Sequence, residues 1–309
     1  MTLHDVISTY LNQPRLKDGT RKAYRQALHP MRDYLGPARP LTDITSLDLH
    51  RFWSHLTAGD YSPYTVRKHY RSLKAFWNWT VTMRLLTASP FVGIKPPRIP
   101  THNTREKAMT DDEYHQLLEY ARYTSPRNYA LIIFMADTGC RAISASRLKI
   151  ADVNLADHSA TITGKGDKRR TVFYGAQCAQ ALRNWIRLKP SGTSEYIFRE
   201  RVNRRGDDKR PIKPDNISQI IRRTGEAAGI QRSLGAHSLR HRKGHQLADA
   251  GVPITVSAKA LGHSSTTTTQ IYYPDDDARV RQSMEKLATR DGSSPSPKII
   301  PFKRDAGDV

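Results

Sequence analysis

Apolar residues in the first ninety positions recur at helical rather than strand spacing and predict four short helices. In the longest, Val66, Tyr70, Leu73 and Trp77 fall at i, i+4, i+7 and i+11, which sets one core-facing stripe. Ser62 and Pro63 ahead of it offer an N-cap and an N1 proline. Tyr24, Leu28, Met31 and Leu35 mark an earlier helix, which Pro30 is expected to kink or split because it lacks an N–H and crowds the preceding turn. Leu49, Trp53 and Leu56 line one side of another, from Ser46 to Leu56. Residues 1–95 therefore predict a small all-helical domain.

The run Pro96-Pro97-Arg98-Ile99-Pro100 resists helix and sheet alike, so a linker is expected over residues 96–108. Thr110-Asp111-Asp112-Glu113 is a capping box that opens the next helix, with Leu117 and Leu118 beginning its apolar face. The helical period then breaks. Ser159–Thr163 and Arg169–Tyr174 are rich in β-formers and flank Gly164-Lys165-Gly166-Asp167-Lys168, which predicts a β-hairpin. Helical spacing returns to about residue 289, giving a second domain over 109–290, and Ser293-Ser294-Pro295-Ser296-Pro297 marks a flexible tail at 291–309. The fold class is mainly α with a small β-hairpin or sheet in the second domain (α+β).

Composition narrows the partner. Among 309 residues, Lys and Arg outnumber Asp and Glu by 50 to 29, for a net charge of +21 and a pI near 10.1. Across residues 1–105, 16 Lys/Arg face 6 Asp and no Glu, so both domains are basic and both are suited to a polyanion. A membrane-surface role competes with nucleic acid, but no stretch nears the roughly 18 apolar residues of a spanning helix. The start, Leu3-His4-Asp5-Val6, has no secretory pattern. Cys140 and Cys178 lie 38 residues apart in no CxxC pattern, which predicts reduced packing residues in a cytoplasmic protein rather than a zinc site or a disulfide. On the longest N-terminal helix, Arg67, Lys68, Arg71 and Lys74 fall mostly between the stripe residues and form a basic flank for phosphates.

Within Leu261-Gly262-His263-Ser264-Ser265-Thr266-Thr267-Thr268-Thr269-Gln270-Ile271-Tyr272-Tyr273, a histidine stands nine residues before a tyrosine. In a basic chain that pairing suggests a phenol that attacks a DNA phosphate. Such a reaction, run without a metal, needs a nucleophile, cations for the charge of the transition state and an acid for the leaving 5′ oxygen. Arg141, after Gly139, has the planar fork to grip two phosphate oxygens. His237 and Arg240 sit at i and i+3 on one helical face. Lys165, at the hairpin turn, can protonate a leaving oxygen, with Lys168 close enough to compete. His263 can hydrogen-bond the phosphate or help deprotonate the phenol. A free phenol has a pKa near 10, and the surrounding cations are expected to favour its ionised form. His237, His241 and His245 form an i, i+4, i+8 row, but no Cys or carboxylate joins it at ligand spacing, so no metal is expected.

The order of these motifs resembles the tyrosine recombinases of the phage integrase and Xer family. The resemblance rests on Thr138-Gly139-Cys140-Arg141, Gly164-Lys165-Gly166, His237-Ser238-Leu239-Arg240-His241, Leu261-Gly262-His263 and Thr269-Gln270-Ile271-Tyr272. It covers residues 110 to 280 by motif and the N-terminal helices by layout. It implies that Arg141, Lys165, His237, Arg240 and His263 activate a phosphate and that Tyr272, rather than Tyr273, forms a 3′-phosphotyrosyl link. It also implies a two-domain DNA clamp, with a core-binding first domain, acting on double-stranded DNA at specific recombination sites. The assembly would be a homo-tetramer passing through a Holliday junction, in the cytoplasm at the nucleoid, with no cofactor. Ser144 and Lys243 depart from the family pattern, where a glutamate and an aromatic residue are frequent. A type IB topoisomerase and a non-cleaving DNA-binding regulator are the rival readings. The apolar Ile299-Ile300-Pro301-Phe302 in the tail suggests docking on a neighbouring subunit.

Overall fold

The structure, a computed structural model, describes residues 1–98, 104–164, 167–188, 194–200, 210–273, 281 and 284–285. Lys165, the linker positions 99–103 and the tail 291–309 lie outside them. The chain divides into two units, Met1–His102 and Asn103–Val309.

The first unit consists of α1 (Leu3–Leu11), α2 (Asp18–Leu35), α3 (Ser46–Ala58) and α4 (Pro63–Thr82). Thr2 and Thr45 cap α1 and α3 reciprocally with Asp5 and Asp48, and the Ser62 hydroxyl accepts from the Thr65 N–H at the start of α4. The stripe on α4 faces inward as expected: Val66, Leu73 and Trp77 are buried, joined by Phe76 from the adjacent position. Pro30 does not split α2, which runs through it as one helix. An interior proline costs about 3 kcal/mol. Burial of Leu28, Met31 and Leu35 on either side, at about 1.5–3 kcal/mol each, outweighs that cost. Along α4, Lys68, Arg71 and Lys74 are exposed and Arg67 is half-buried. Lys68 Nζ donates to Gln26 Oε1 at 3.1 Å, and Lys74 Nζ lies 5.9 Å from the Tyr70 ring centroid.

The second unit begins with α5 (Thr104–Lys107), α6 (Asp111–Thr124), α7 (Pro126–Thr138) and α8 (Ala142–Ser146). Strands β1 (Val153–Asn154), β2 (Ser159–Thr163) and β3 (Arg169–Phe173) follow, then α9 (Ala176–Leu188), α10 (Pro214–Ala227), α11 (Ala236–Asp249) and α12 (Ile254–Leu261). Two 3₁₀ turns, Thr266–Thr268 and Gln270–Tyr272, follow α12. The middle of helix α7, residues 130–136, is apolar all round, and Leu131, Ile132, Ile133 and Phe134 are all buried where α6, α9 and α11 pack on it. Thr104–Lys107, which the sequence assigns to the linker, is a helical turn packed on α11 and on the turn that carries Tyr272.

The strands form an antiparallel sheet in the order β1-β2-β3, and the Gly164 N–H donates to the Lys168 carbonyl at 2.8 Å beside the hairpin turn. Ala160 pairs with Val172 and Ile162 with Arg170, which puts these four side chains on one face. Ala160, Ile162 and Val172 are buried there, so Arg170 points inward while Phe173 is 71% exposed. Among the described residues the chain is thus mainly helical with one small antiparallel sheet.

Candidate active site

Two glycine turns hold the site together. Helix α7 ends at Gly139, in the left-handed conformation at φ 58°, and Arg141 follows as the residue that opens α8. A Cβ at Gly139 would lie 2.8 Å from Leu261 Cδ2 and 3.0 Å from Lys243 Cγ, so only glycine fits. Lys243 is thereby explained as packing: its stem covers the Gly139 turn and burial lowers its pKa. Helix α12 ends at Gly262, also left-handed at φ 67°, and His263 follows. Each turn is bonded to an arginine from elsewhere. Arg141 Nη1 donates to the Gly262 carbonyl at 3.0 Å, and Arg240 Nη1 donates to the Gly139 carbonyl at 2.7 Å. The two guanidiniums and the His263 turn are therefore fixed mutually.

Arg240 is 4% exposed, and burial, followed by the charge of Arg141, lowers its pKa to about 10. Its Nη2 is buried with no hydrogen-bond partner among the described residues. The same holds for Nε of Arg170, whose pKa is lowered by burial and by Arg141. The Arg170 guanidinium lies directly against Gly262, in the space that a Cβ would occupy. Arg170 is a third guanidinium of the cluster that sequence reasoning did not single out. Buried, unpartnered donors are costly, and an anion with several acceptor oxygens would satisfy them.

Tyr272 is 2% exposed and lies among these groups. Its ring rests on α11 at Gly244, where a Cβ would come within 2.6 Å of it. His245 meets the ring edge-on, at 5.2 Å between centroids and 83°, and His263 lies parallel to it at 6.5 Å and 11°. Its hydroxyl is hydrogen-bonded to His241 Nδ1 at 3.1 Å. Thr104 bridges the helix to the turn: its hydroxyl donates to the Ile271 carbonyl at 2.9 Å and lies 3.2 Å from His245 Nε2. The neighbouring Tyr273 is turned away, its hydroxyl donating to the Val252 carbonyl at 2.6 Å and lying 2.6 Å from Ser257 Oγ.

The electrostatics correct one expectation. Arg240 and Arg141 do pull the Tyr272 pKa down, but burial is the larger effect and the net shift is upward. Burial, with the nearby arginines, also lowers His263 to about 4, so it is neutral at pH 7. His263 Nδ1 is bonded to Thr269 Oγ1 at 2.7 Å, and the ring nitrogen at the phenol belongs to His241. His237 is exposed, and its pKa is lowered by desolvation among its neighbours and then by Arg240 and Arg141.

Arg141, His237, Arg240, His263 and Tyr272 are therefore brought together, close enough for their charges to act on one another. Lys168 is exposed beside the hairpin turn. Ser144 is buried, and its hydroxyl donates to the Thr163 carbonyl at 2.9 Å, tying α8 directly behind Arg141 to the strand that leads into that turn. Arg232 donates to both Glu113 oxygens and to the Ala108 carbonyl, anchoring the loop ahead of α11 to the start of α6. Such a cluster can bind a phosphodiester, neutralise its charge and present a phenol to it.

Residues 107–279 match the Phage integrase family, and residues 3–86 match the family described as Phage integrase, N-terminal SAM-like domain. The tyrosine recombinase XerD of Bifidobacterium longum is 30% identical over 242 residues, covering 74% of this chain and 77% of its own. The Tn1549 transposon integrase in complex with transposon right end DNA superposes with a TM-score of 0.75 at 17% identity, covering 93% of this chain and 100% of that one. A lambda integrase tetramer bound to a Holliday junction gives 0.69 at 16% identity, covering 88% and 77%. At those identities the likeness to the solved structures is one of fold.

Proposed function

The chain belongs to the phage integrase family of tyrosine recombinases, which break and rejoin DNA at specific sites, and we propose that Tyr272 is its nucleophile. Arg141 and Arg240 grip the non-bridging oxygens of the scissile phosphate, and His237 and His263 donate hydrogen bonds to it. Lys165 protonates the departing 5′ oxygen, with Lys168 the competing candidate. The product is a 3′-phosphotyrosyl link. It conserves the bond energy, so rejoining needs neither a nucleotide cofactor nor a metal. What supports this division of roles most is the convergence of an arginine pair, three imidazoles and one buried phenol from segments up to 131 residues apart, from Arg141 to Tyr272.

Residues 1–95 serve as a core-binding domain that meets phosphates through Arg67, Lys68, Arg71 and Lys74, residues 96–108 as linker, 109–290 as catalytic domain and 291–309 as tail. Strand exchange proceeds in a homo-tetramer through a Holliday junction, the state in which the lambda integrase is seen, in the cytoplasm at the nucleoid. No helix among the described residues is long and apolar enough to cross a membrane. A duplex enriched from a random-sequence pool by the full-length protein, then nicked to trap cleavage, tests this. A covalent adduct that survives denaturant, together with four-way junctions from paired sites, is the expected result. Supercoil relaxation without junctions would favour the topoisomerase reading, and binding without an adduct the regulator reading.

A further inference from the structure

Tyr272 needs a proton acceptor, and the structure offers one that neither the motif spacing nor the charge pattern identified. We infer that His241 is the catalytic base of this site, taking the Tyr272 proton through Nδ1 as the phenol attacks phosphorus. The inference rests on the nucleophile assigned above to Tyr272.

The geometry distinguishes three imidazoles. His241 Nδ1 lies 3.1 Å from the phenol oxygen, within the reach expected of a general base. His263 is parallel to the Tyr272 ring and uses its Nδ1 on Thr269. His237 is exposed, beside the guanidiniums that receive the phosphate. Among the described residues, His241 is the side chain hydrogen-bonded to that hydroxyl. The placement is over-determined: Gly244, one position short of the next turn, lets the Tyr272 ring onto the helix, and His245 blocks it edge-on. The hydroxyl is thereby aimed along α11 at His241 before any substrate arrives.

The protonation state fits the role. Burial, followed by His237 and His245 on its own helix, Lys107 on α5 and Arg240, lowers the His241 pKa to about 4. The imidazole is neutral at pH 7 and can accept. Lys107 and Arg240, both cationic at that pH, also make it a weak base in the free protein. A phosphodiester anion entering between Arg141 and Arg240 offsets them and raises its proton affinity when the substrate is in place. In the step itself the phenolic O–H bond breaks and its proton passes to Nδ1. The phenolate oxygen bonds to phosphorus while the P–O5′ bond breaks, and the departing 5′ oxygen takes a proton from the lysine proposed for that task. Rejoining returns the first proton from His241 to Tyr272.

The test uses the full-length protein on the nicked, pool-selected duplex, following both binding and covalent adduct. A wild-type adduct lost in Tyr272→Phe secures the nucleophile independently of His241; no wild-type adduct would sink the function reading instead. His241→Phe is expected to bind the duplex within about threefold of wild type yet form adduct roughly 100- to 10,000-fold more slowly. His241→Asn, which keeps an acceptor near Nδ1 but takes up no proton, should be equally slow and covers the case in which the phenylalanine variant fails to fold. A fluorinated tyrosine at position 272, whose phenol ionises more readily, should restore most of the lost rate in either variant. Near wild-type cleavage by His241→Asn, or no recovery with fluorotyrosine, would reduce His241 to a positioning residue and overturn the proposal.

Discussion

Replacing Gly244 with alanine tests whether the Tyr272 ring is held where its chemistry requires. In the helix interior alanine is favoured over glycine by about 1 kcal/mol. Here the added methyl meets three Tyr272 ring atoms at 2.6 to 2.7 Å, against ordinary carbon contacts of about 3.5–4.0 Å. Relief requires the ring to move by about 1 Å, and overpacking of that kind costs roughly 1–3 kcal/mol. The two effects nearly cancel, so Tm should change by only a few degrees. Cleavage does not share that cancellation. A displacement of about 1 Å at the nucleophile costs on the order of 100-fold in rate. Thermal unfolding and single-turnover adduct formation on the nicked duplex read the two quantities separately. A variant that cleaves at the wild-type rate with raised stability would refute the reasoning, because it would mean that the Tyr272 ring does not rest on Gly244 in the reacting state.

Gly262→Ala puts a side chain into the left-handed region and into the Arg170 guanidinium, so adduct formation should fall at least tenfold while duplex binding changes less; equal loss in both would point to misfolding. Arg232→Ala leaves Glu113 with its capping bond to the Thr110 N–H but without its charged partner and frees the loop ahead of α11, and should lower unfolding free energy by about 1–3 kcal/mol, read by urea titration. His241 and His263 have folded-state pKa values lowered to about 4, below the roughly 6.5 of a free imidazole. The unfolded chain therefore takes up protons first as pH falls. The stability they contribute is complete above about pH 6.5 and is lost toward pH 4; the two shifts would remove about 2 kcal/mol each by pH 5, and screening of these half-exposed rings cuts the combined loss to roughly 2 kcal/mol. Urea titrations at pH 7.5 and pH 5 with equal midpoints would contradict this.

Local chemistry made the elements legible. The Thr110–Glu113 capping box, the Ser62-Pro63 start and the β-forming runs around Gly164 each act within a few residues, and each appears where the pattern put it. Strand β1, two residues long, carries no period to detect. Pro30 misled because the penalty is local while the compensating burial of Leu28 and Met31 is tertiary. Within the site, His263, Arg240 and Arg141 could be picked out by type and spacing. Arg170 could not, since hydropathy alone would turn Phe173 inward and Arg170 outward, and only pairing with Ile162 and the opening at Gly262 reverse that. Gly244 and His241 stayed silent for the same reason: their meaning comes from a phenol 28 and 31 residues away. The upward shift of the Tyr272 pKa required knowing that its burial exceeds the pull of its cations.

Tyr272 and Tyr273 are adjacent in the chain but opposed in environment, one bonded to His241 within the arginine cluster and the other to Val252 and Ser257. The decisive measurement compares Tyr272→Phe with Tyr273→Phe for denaturant-resistant adduct on the nicked duplex. Tyr272→Phe should form none while binding DNA normally, and Tyr273→Phe should form it at close to the wild-type rate with about 1 kcal/mol lower stability. Adduct formation by Tyr272→Phe, or its loss in a folded Tyr273→Phe, would contradict the assignment of the nucleophile.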